Sequence, residues 1–221
     1  MKQPLVIFGT GEFAEVAAFY FRHDSDYEPI AFTVDPDHIT VDSFCGLPVF
    51  PFDTLESHIP PAAAEMFIAI GYSGLNRYRI EKVRAATARG YRLASYLSSR
   101  ATTWPDFALG RNCFILEDNT IQPFTQIGDN TILWSGNHIG HHSRIGAHCY
   151  IAGHVVVAGR VSIGDGCFVG CRATLRDGIE VGDNCVIGMG SLIMKDAPPG
   201  SVYAPRATER SRVPSHRLRR L

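Results

Sequence analysis

Residues 127–169 read IGDNTILWSGNHIGHHSRIGAHCYIAGHVVVAGRVSIGDGCFV, and an aliphatic side chain returns at every sixth place: Ile127, Leu133, Ile139, Ile145, Ile151, Val157, Ile163 and Val169. The beat continues outward through Leu109, Ile115 and Ile121 on one side and Leu175, Val181, Ile187 and Ile193 on the other, fifteen hits without a slip. An amphipathic helix repeats near 3.6 and a strand near 2, so neither gives a strict six. A chain wound into a three-sided prism does, with three short strands and three corners in each coil. Fifteen hexads make five coils, a stack roughly 24 Å tall at the interstrand spacing. The period predicts an all-β left-handed parallel β-helix, an exception to the right-handed crossover rule.

The aliphatic residue of each hexad points inward. So does the small residue four places later: Cys113, Thr131, Ser143, Cys149, Cys167, Ala173, Cys185 and Ser191. The middle positions form the corner, where Gly128-Asp129-Asn130, Gly164-Asp165-Gly166 and Gly182-Asp183-Asn184 supply residues that tolerate a tight, positive-φ turn. Cys113, Cys149, Cys167 and Cys185 then form one internal column, read as packing of small, soft side chains. There is no CxxC and no zinc-type spacing. Six thiols without a pairing pattern, and a start (Met1-Lys2-Gln3-Pro4) unlike a signal peptide, point to the cytoplasm. No apolar run approaches the roughly 18 residues that span a membrane. A net charge of −1 gives no general nucleic-acid surface.

Residues 1–100 follow a different pattern. Leu5-Val6-Ile7-Phe8, Pro29 to Val34, Leu47 to Phe50 and Met66 to Ile70 read as strands, and the stretches to about Arg22 and from Arg77 to Gly90 read as helices. Leu93-Ala94-Ser95-Tyr96 closes the unit. This alternation predicts a small α/β, Rossmann-like parallel sheet. After the first strand, Gly9-Thr10-Gly11-Glu12-Phe13-Ala14 fits G-x-G-x-x-A, a loop that lets a phosphate approach backbone N–H groups at a helix start. Asp35 stands where a ribose hydroxyl is bound, and Gly71, Asn76 and Arg77 follow a later strand end. An NAD site is the rival reading. The unit is short for two mononucleotide halves, which favours a single nucleotide, free or linked to a sugar.

Five of the nine histidines cluster: His138, His141, His142, His148 and His154. His142, His148 and His154 hold the same corner position in successive hexads, so they point about 120° apart and do not converge on a metal. A neutral imidazole acting as general base suits acyl transfer to an amine, and His141 and His142 share one corner.

The chain resembles the bacterial nucleotide-sugar acetyltransferases of the NeuD and PglD type, in the hexapeptide-repeat superfamily. The resemblance is carried by Ile7-Phe8-Gly9-Thr10-Gly11, by Phe67-Ile68-Ala69-Ile70-Gly71, by Ile139-Gly140-His141-His142-Ser143-Arg144-Ile145-Gly146 and by Met194-Lys195-Asp196-Ala197-Pro198-Pro199-Gly200. It implies an acetyl-CoA-dependent N-acetyltransferase acting on a nucleotide-linked amino-deoxy sugar in surface-glycan or O-antigen synthesis. Residues 1–100 would bind the nucleotide through Gly9, Gly11, Asp35, Gly71, Asn76 and Arg77, residues 101–205 would form the acyltransferase prism, and 206–221 a basic tail. His141 aligns with the family's base. Its neighbour, usually acidic, is His142 here. Tyr150 aligns with a position that often carries a second histidine near the thioester. N–H groups around Ala158-Gly159 would hold the acetyl carbonyl, and CoA would run past Gly188, Gly190 and Pro205. Glu12-Phe13 replaces the usual Gly-His of the phosphate loop. The resemblance also implies a homotrimer with CoA and acceptor at subunit boundaries, and no metal. Arg206, Arg210, Arg212, Arg217, Arg219 and Arg220 make the tail basic, either to meet the CoA 3′-phosphate or as an unstructured end. Sugar O-acetylation, transfer of another acyl group, and a non-catalytic nucleotide-sugar-binding or scaffolding protein are the alternatives.

Overall fold

The computed structural model describes residues 2–210 and 213–217. The first part contains β1 (Gln3–Phe8), α1 (Glu12–His23), β2 (Tyr27–Val34), β3 (Ser43–Phe44), β4 (Leu47–Pro51), α2 (Leu55–His58), β5 (Glu65–Ile68) and α3 (Arg77–Ala88). The strands form one sheet in the order β3-β4-β2-β1-β5, parallel except where β3 runs against β4. Central β1 is buried on both faces, as expected of a parallel strand with cover on each side. Leu5 and Ile7 pack with Ala14, Ala17 and Phe21 of α1, whereas Val6 and Phe8 pack on the other side with Met66, Ile68 and Ala86.

One short segment ends this sheet and begins the prism. Leu93 pairs with Met66 beside β5, and Tyr96–Leu97 then pairs with Phe114–Ile115. From there strands pair in parallel with those eighteen residues on, as Ile132 with Tyr150 and Tyr150 with Phe168, until the last step, where Val186 pairs with Val202. The first face has seven strands, from Tyr96–Leu97 to Val202–Tyr203; the second has five, from Thr120–Ile121 to Leu192–Ile193; the third has four, from Gln126–Ile127 to Glu180–Val181. This is the expected left-handed parallel β-helix.

The expected inward residues are buried, and the small ones do more than fill space. The Thr131 hydroxyl donates to the Gly146 carbonyl at 2.9 Å, and the Cys149 and Cys167 thiols donate to the Gly164 and Gly182 carbonyls, each at 3.2 Å. The cysteine column therefore ties each coil to the next through weak S–H donors. The corner reading needs a correction. Positive φ falls on one position only, every sixth residue from Asn112 to Gly190, and most occupants are Asn, His, Arg or Asp rather than glycine. The glycines that follow the aliphatic residues answer a different need: a Cβ on Gly140 would lie 2.5 Å from the Ala158 carbonyl carbon of the next coil.

The N-terminal sheet is fastened to the corner between the third and first faces. Asn112 Oδ1 accepts from the Ile68 N–H at 2.7 Å. One coil on, Asn130 Oδ1 accepts from Asn112 Nδ2 at 2.9 Å and from Arg79 Nε at 3.1 Å. Arg79 has no exposed surface and no carboxylate partner among its hydrogen bonds. Its remaining N–H groups donate to the carbonyls of Ile70, Gly71, Asn130, His148 and Cys149 at 2.8–3.3 Å. Burial pushes its pKa down to about 10. An aromatic cluster completes the junction, with Phe13 edge-on to Phe114 at 5.5 Å and Phe67 at 5.3 Å from Phe114. Among the described residues no helix is long and apolar enough to cross a membrane.

Removing Arg79 leaves buried carbonyls without donors. R79A is expected to lower the unfolding free energy by at least about 3 kcal/mol. R79K should recover little of it, because an ammonium cannot span acceptors set apart like these. Urea unfolding followed by circular dichroism measures both; an unfolding curve for R79A superimposable on wild type would refute this role.

Candidate functional site

The eighteen-residue coil sorts the candidate residues onto separate corners. Between the first and second faces a column runs Glu117, Ser135, Gly153, Cys171, Met189, with His154 beside it. Between the second and third faces the column is Pro123, His141, Gly159, Asp177, with Phe124 and His142 beside it. His148 lies with Asn130 on the corner that carries the N-terminal sheet, and its Nδ1 accepts from Asn130 Nδ2 at 2.9 Å. His142, His148 and His154 thus occupy three corners. Among the described residues no three His, Cys, Asp or Glu side chains gather as a metal-holding group. Burial and the nearby Arg79 charge lower the His148 pKa, which suits this accepting role.

His141 and His142 are both exposed, and their Nδ1 atoms are 3.1 Å apart. The Phe124 ring lies 4.6 Å from that of His142, and the Gln122 side chain accepts from the His141 N–H at 2.8 Å. The His141 ring rests against Gly159: a Cβ there would lie 2.8 Å from His141 Nε2 and 2.9 Å from Asp177 Oδ1. Only glycine fits. Ala158 spends its N–H on the Leu175 carbonyl at 3.2 Å, while the Gly159 N–H has no hydrogen-bond partner among the described residues. The His141 ring, the Asp177 carboxylate and the Gly159 backbone therefore lie together on this corner. Asp177 was missed in the sequence, although stepping thirty-six residues on from His141 reaches it. Its second oxygen is paired with Arg160.

The second assembly is a groove of about 610 Å³ on the other corner, between the N-terminal loop and the first face. Tyr150 and Phe168 lie parallel at 5.7 Å along its wall, and Tyr72 meets each of them at 4.9 Å. Burial pushes the Tyr150 hydroxyl up to about 12, so it stays protonated. Phe13 packs on Trp134 at 6.0 Å, and Glu12 is exposed. Gly188, Gly190 and Met189 belong to this corner too, and Pro205 Cδ fills the place where a Cβ of Gly188 would stand. The residues expected along CoA are thus divided: Ala158 and Gly159 accompany His141, while Tyr150, Gly188, Gly190 and Pro205 lie on or beside the other corner. One chain does not bring the two sets together. Arg206, Arg210 and Arg217 are exposed, and Arg212, Arg219 and Arg220 lie outside the described residues.

The nucleotide residues also divide. Gly9 has φ +127° and would press a Cβ to 3.0 Å from the Ala69 carbonyl oxygen, so its glycine serves the strand ends. Gly11 is exposed with open space above it, and Gly71 likewise has room for a Cβ while its carbonyl accepts from Arg79. Asn76 requires correction. It is fully buried with φ +66°, and its Nδ2 donates to the Gly166 and Cys167 carbonyls of the prism, so it does not reach a phosphate or base. Arg77 is exposed, with Nε donating to the Gly74 carbonyl. Asp35 accepts from the Tyr78 hydroxyl and forms an ion pair with Lys82 at 2.8 Å.

Two repeat families match the prism: the bacterial transferase hexapeptide (six repeats) over residues 124–159, and the hexapeptide repeat of succinyl-transferase over residues 160–195. No curated protein sequence matches the chain. Among solved structures, PerB from Caulobacter crescentus in complex with CoA and GDP-perosamine is 26% identical, with a TM-score of 0.79 over 90% of this chain and 92% of that one. A mutant of perosamine N-acetyltransferase from the same organism with a histidine changed to asparagine, again with CoA and GDP-perosamine, gives 0.81 at 26% over the same shares. The acetyltransferase domain of PglB from Neisseria gonorrhoeae FA1090 shares the fold at 24% identity, with a TM-score of 0.80 over 91% of this chain and 96% of that one.

Partial burial would raise the Asp35 carboxyl, but the Lys82 and Tyr78 hydrogen bonds and the Lys82 charge outweigh it and hold the group below its ordinary 3.8. A depressed carboxyl stabilises the fold above its unfolded pKa, and that contribution disappears as pH falls through the folded value. D35N is therefore expected to be less stable than wild type by about 1–2 kcal/mol at pH 7. The gap should close as the pH drops below about 4. Thermal melts across pH 3–7 test this; a gap that is constant over the range counts against it.

Proposed function

We infer that this chain, a hexapeptide-repeat acyltransferase of the NeuD and PglD type, moves the acetyl group of acetyl-CoA onto the amino group of a nucleotide-linked amino-deoxy sugar, with His141 as general base. The observation that carries the reading is His141 Nε2 standing against Gly159, whose N–H is unspent. The neighbour that binds CoA and GDP-perosamine supports both substrates.

In this reading His141 carries its proton on Nδ1 and donates it to His142 Nδ1, 3.1 Å away, which leaves the Nε2 lone pair free. The sugar amine attacks the thioester carbonyl while Nε2 takes its proton. The oxyanion that forms accepts from the Gly159 N–H, a donor already in place. When the C–S bond breaks, the His141 imidazolium returns its proton to the departing thiolate. His142 thus supplies the orienting acceptor that relatives draw from a carboxylate. The aromatic groove and His141 lie on different corners of one prism, so a second copy must bring its His141 to the groove, and the working unit is a homotrimer in the cytoplasm making surface-glycan precursors.

The test is thiol release from acetyl-CoA across UDP-, GDP- and dTDP-linked amino sugars, each paired with its hydroxyl counterpart. H141N should lose about 10²- to 10⁴-fold in kcat with little change in KM. H142A should lose about tenfold, and H142E should keep most of the activity. Full turnover by H141N would end the general-base reading, and preference for the hydroxyl sugar would make the enzyme an O-acetyltransferase.

A further inference from the structure

Among the polar groups lining the groove beside Tyr72, which include His154 and the Trp134 N–H, Ser135 is held in a network that the reaction above leaves unused. Ser135 lines it, and the Ser135 hydroxyl donates to Glu117 Oε1 at 2.7 Å. Glu117 Oε2 accepts from the Tyr20 hydroxyl of α1 at 2.8 Å. Burial would raise this carboxyl, but the bonds from Ser135, its own backbone and Tyr20 outweigh that and keep it below its ordinary 4.5. Glu117 is therefore ionised near neutral pH and only accepts. The hydroxyl proton of Ser135 is committed, so toward the groove Ser135 offers lone pairs alone. The walls around it, Tyr150, Phe168 and Tyr72, are aromatic and suit the C–H face of a sugar ring.

We propose that this groove takes the sugar ring of the acceptor and that Ser135, held by Glu117, reads a hydrogen-bond donor on that ring. The proposal rests on the acetyltransferase reading and deepens it. A neutral serine would accept or donate as the ligand required. The Glu117 lock removes that choice and makes the position selective for an N–H or O–H group over an acceptor such as a keto oxygen. Ser135 is then a positioning residue on the groove's corner, apart from the proton transfer at His141. Its column, Glu117–Ser135–Gly153, repeats at eighteen residues, so Glu117 lies one coil below Ser135 and away from the groove mouth.

The experiment measures kcat and KM for S135A and S135T with GDP-perosamine and with UDP- and dTDP-linked amino sugars, together with calorimetric binding of each nucleotide sugar, of the bare nucleoside diphosphates and of CoA. S135A is expected to raise KM and the nucleotide-sugar Kd about tenfold, the loss of one hydrogen bond to an oriented acceptor. Its kcat and its affinities for the bare diphosphates and CoA should be unchanged. S135T, which keeps the hydroxyl, should restore KM. E117Q should also raise KM, because its amide donates where the carboxylate accepted and frees the serine proton. An unchanged KM and Kd in S135A, or an equal loss for the bare diphosphate, overturns the proposal. If wild type releases no thiol with any sugar, the acetyltransferase reading fails; the ratio of nucleotide-sugar to bare-diphosphate affinity in S135A then decides the groove assignment by itself.

Discussion

Closure of the backbone after eighteen residues governs which side chains can meet. Through the repeats, residues of one column differ by a multiple of eighteen, as the stacking of Ile132, Tyr150 and Phe168 on one face shows. The five clustered histidines therefore spread around the prism, and no cavity of one chain collects them. The same arithmetic separates His141 from the aromatic groove by one corner. Residues that are close in the sequence are thereby divided between corners facing different directions. Rigidity follows from the same source, since every coil is hydrogen-bonded to the next along all three faces, and the glycines at Gly128 and Gly140 allow that approach. The half-sites are thus held without a mobile loop of their own.

Arg79 shows how the N-terminal sheet is held to this scaffold. A buried guanidinium without a carboxylate is unusual, because desolvation of an unpaired charge is expensive. Here backbone carbonyl dipoles stand in for the counter-ion, and six acceptor contacts at 2.8–3.3 Å use the whole fork of donors. Several of those carbonyls lie at the prism corner, and two lie on the loop that leads to Tyr72. The geometry of that loop, and with it one wall of the groove, therefore depends on a contact well away from either half-site. Asn76, buried against Gly166 and Cys167, acts at the other end of the same loop.

The prism was legible because its signal is periodic and each inward position has a sterically forced residue type. The direction of the histidines was legible for the same reason. The corner chemistry was misread at Gly128, where the constraint is a neighbour 2.5 Å away rather than backbone φ. Asp177 and Glu117 were reachable by counting in eighteens, but neither stands out locally. Arg79 was not legible at all. In α3 the buried residues are Arg79, Lys82 and Ala86, so two of the three are charged and the hydrophobic stripe is weak. Asn76 and Arg77 looked like a ligand-facing pair because a strand end preceded them, and only the prism's position shows that Asn76 turns the other way. Asp35 was read as a ribose ligand from its place after the second strand; in the fold its carboxylate is held by Lys82 and Tyr78 of its own domain.

The replacement of an acidic residue by His142 alters how charge is balanced in the inferred step. A carboxylate on His141 Nδ1 would fix the tautomer and also offset the positive charge that the ring gains, through a charge-assisted bond about twice as strong as a neutral one. His142 can accept at Nδ1 but can equally donate there, so it neither forces the tautomer nor offsets the charge as a carboxylate would. Asp177 lies on the Nε2 side instead, and its charge is shared with Arg160, which weakens what it can offer His141. The remaining source of balancing charge is the oxyanion itself. The His141 ring rests against Gly159, so in the inferred step an oxyanion held there would form near the imidazolium, and each would offset the other. Such compensation would exist only in the transition state, where it would lower the barrier without tightening the hold on the bound substrates.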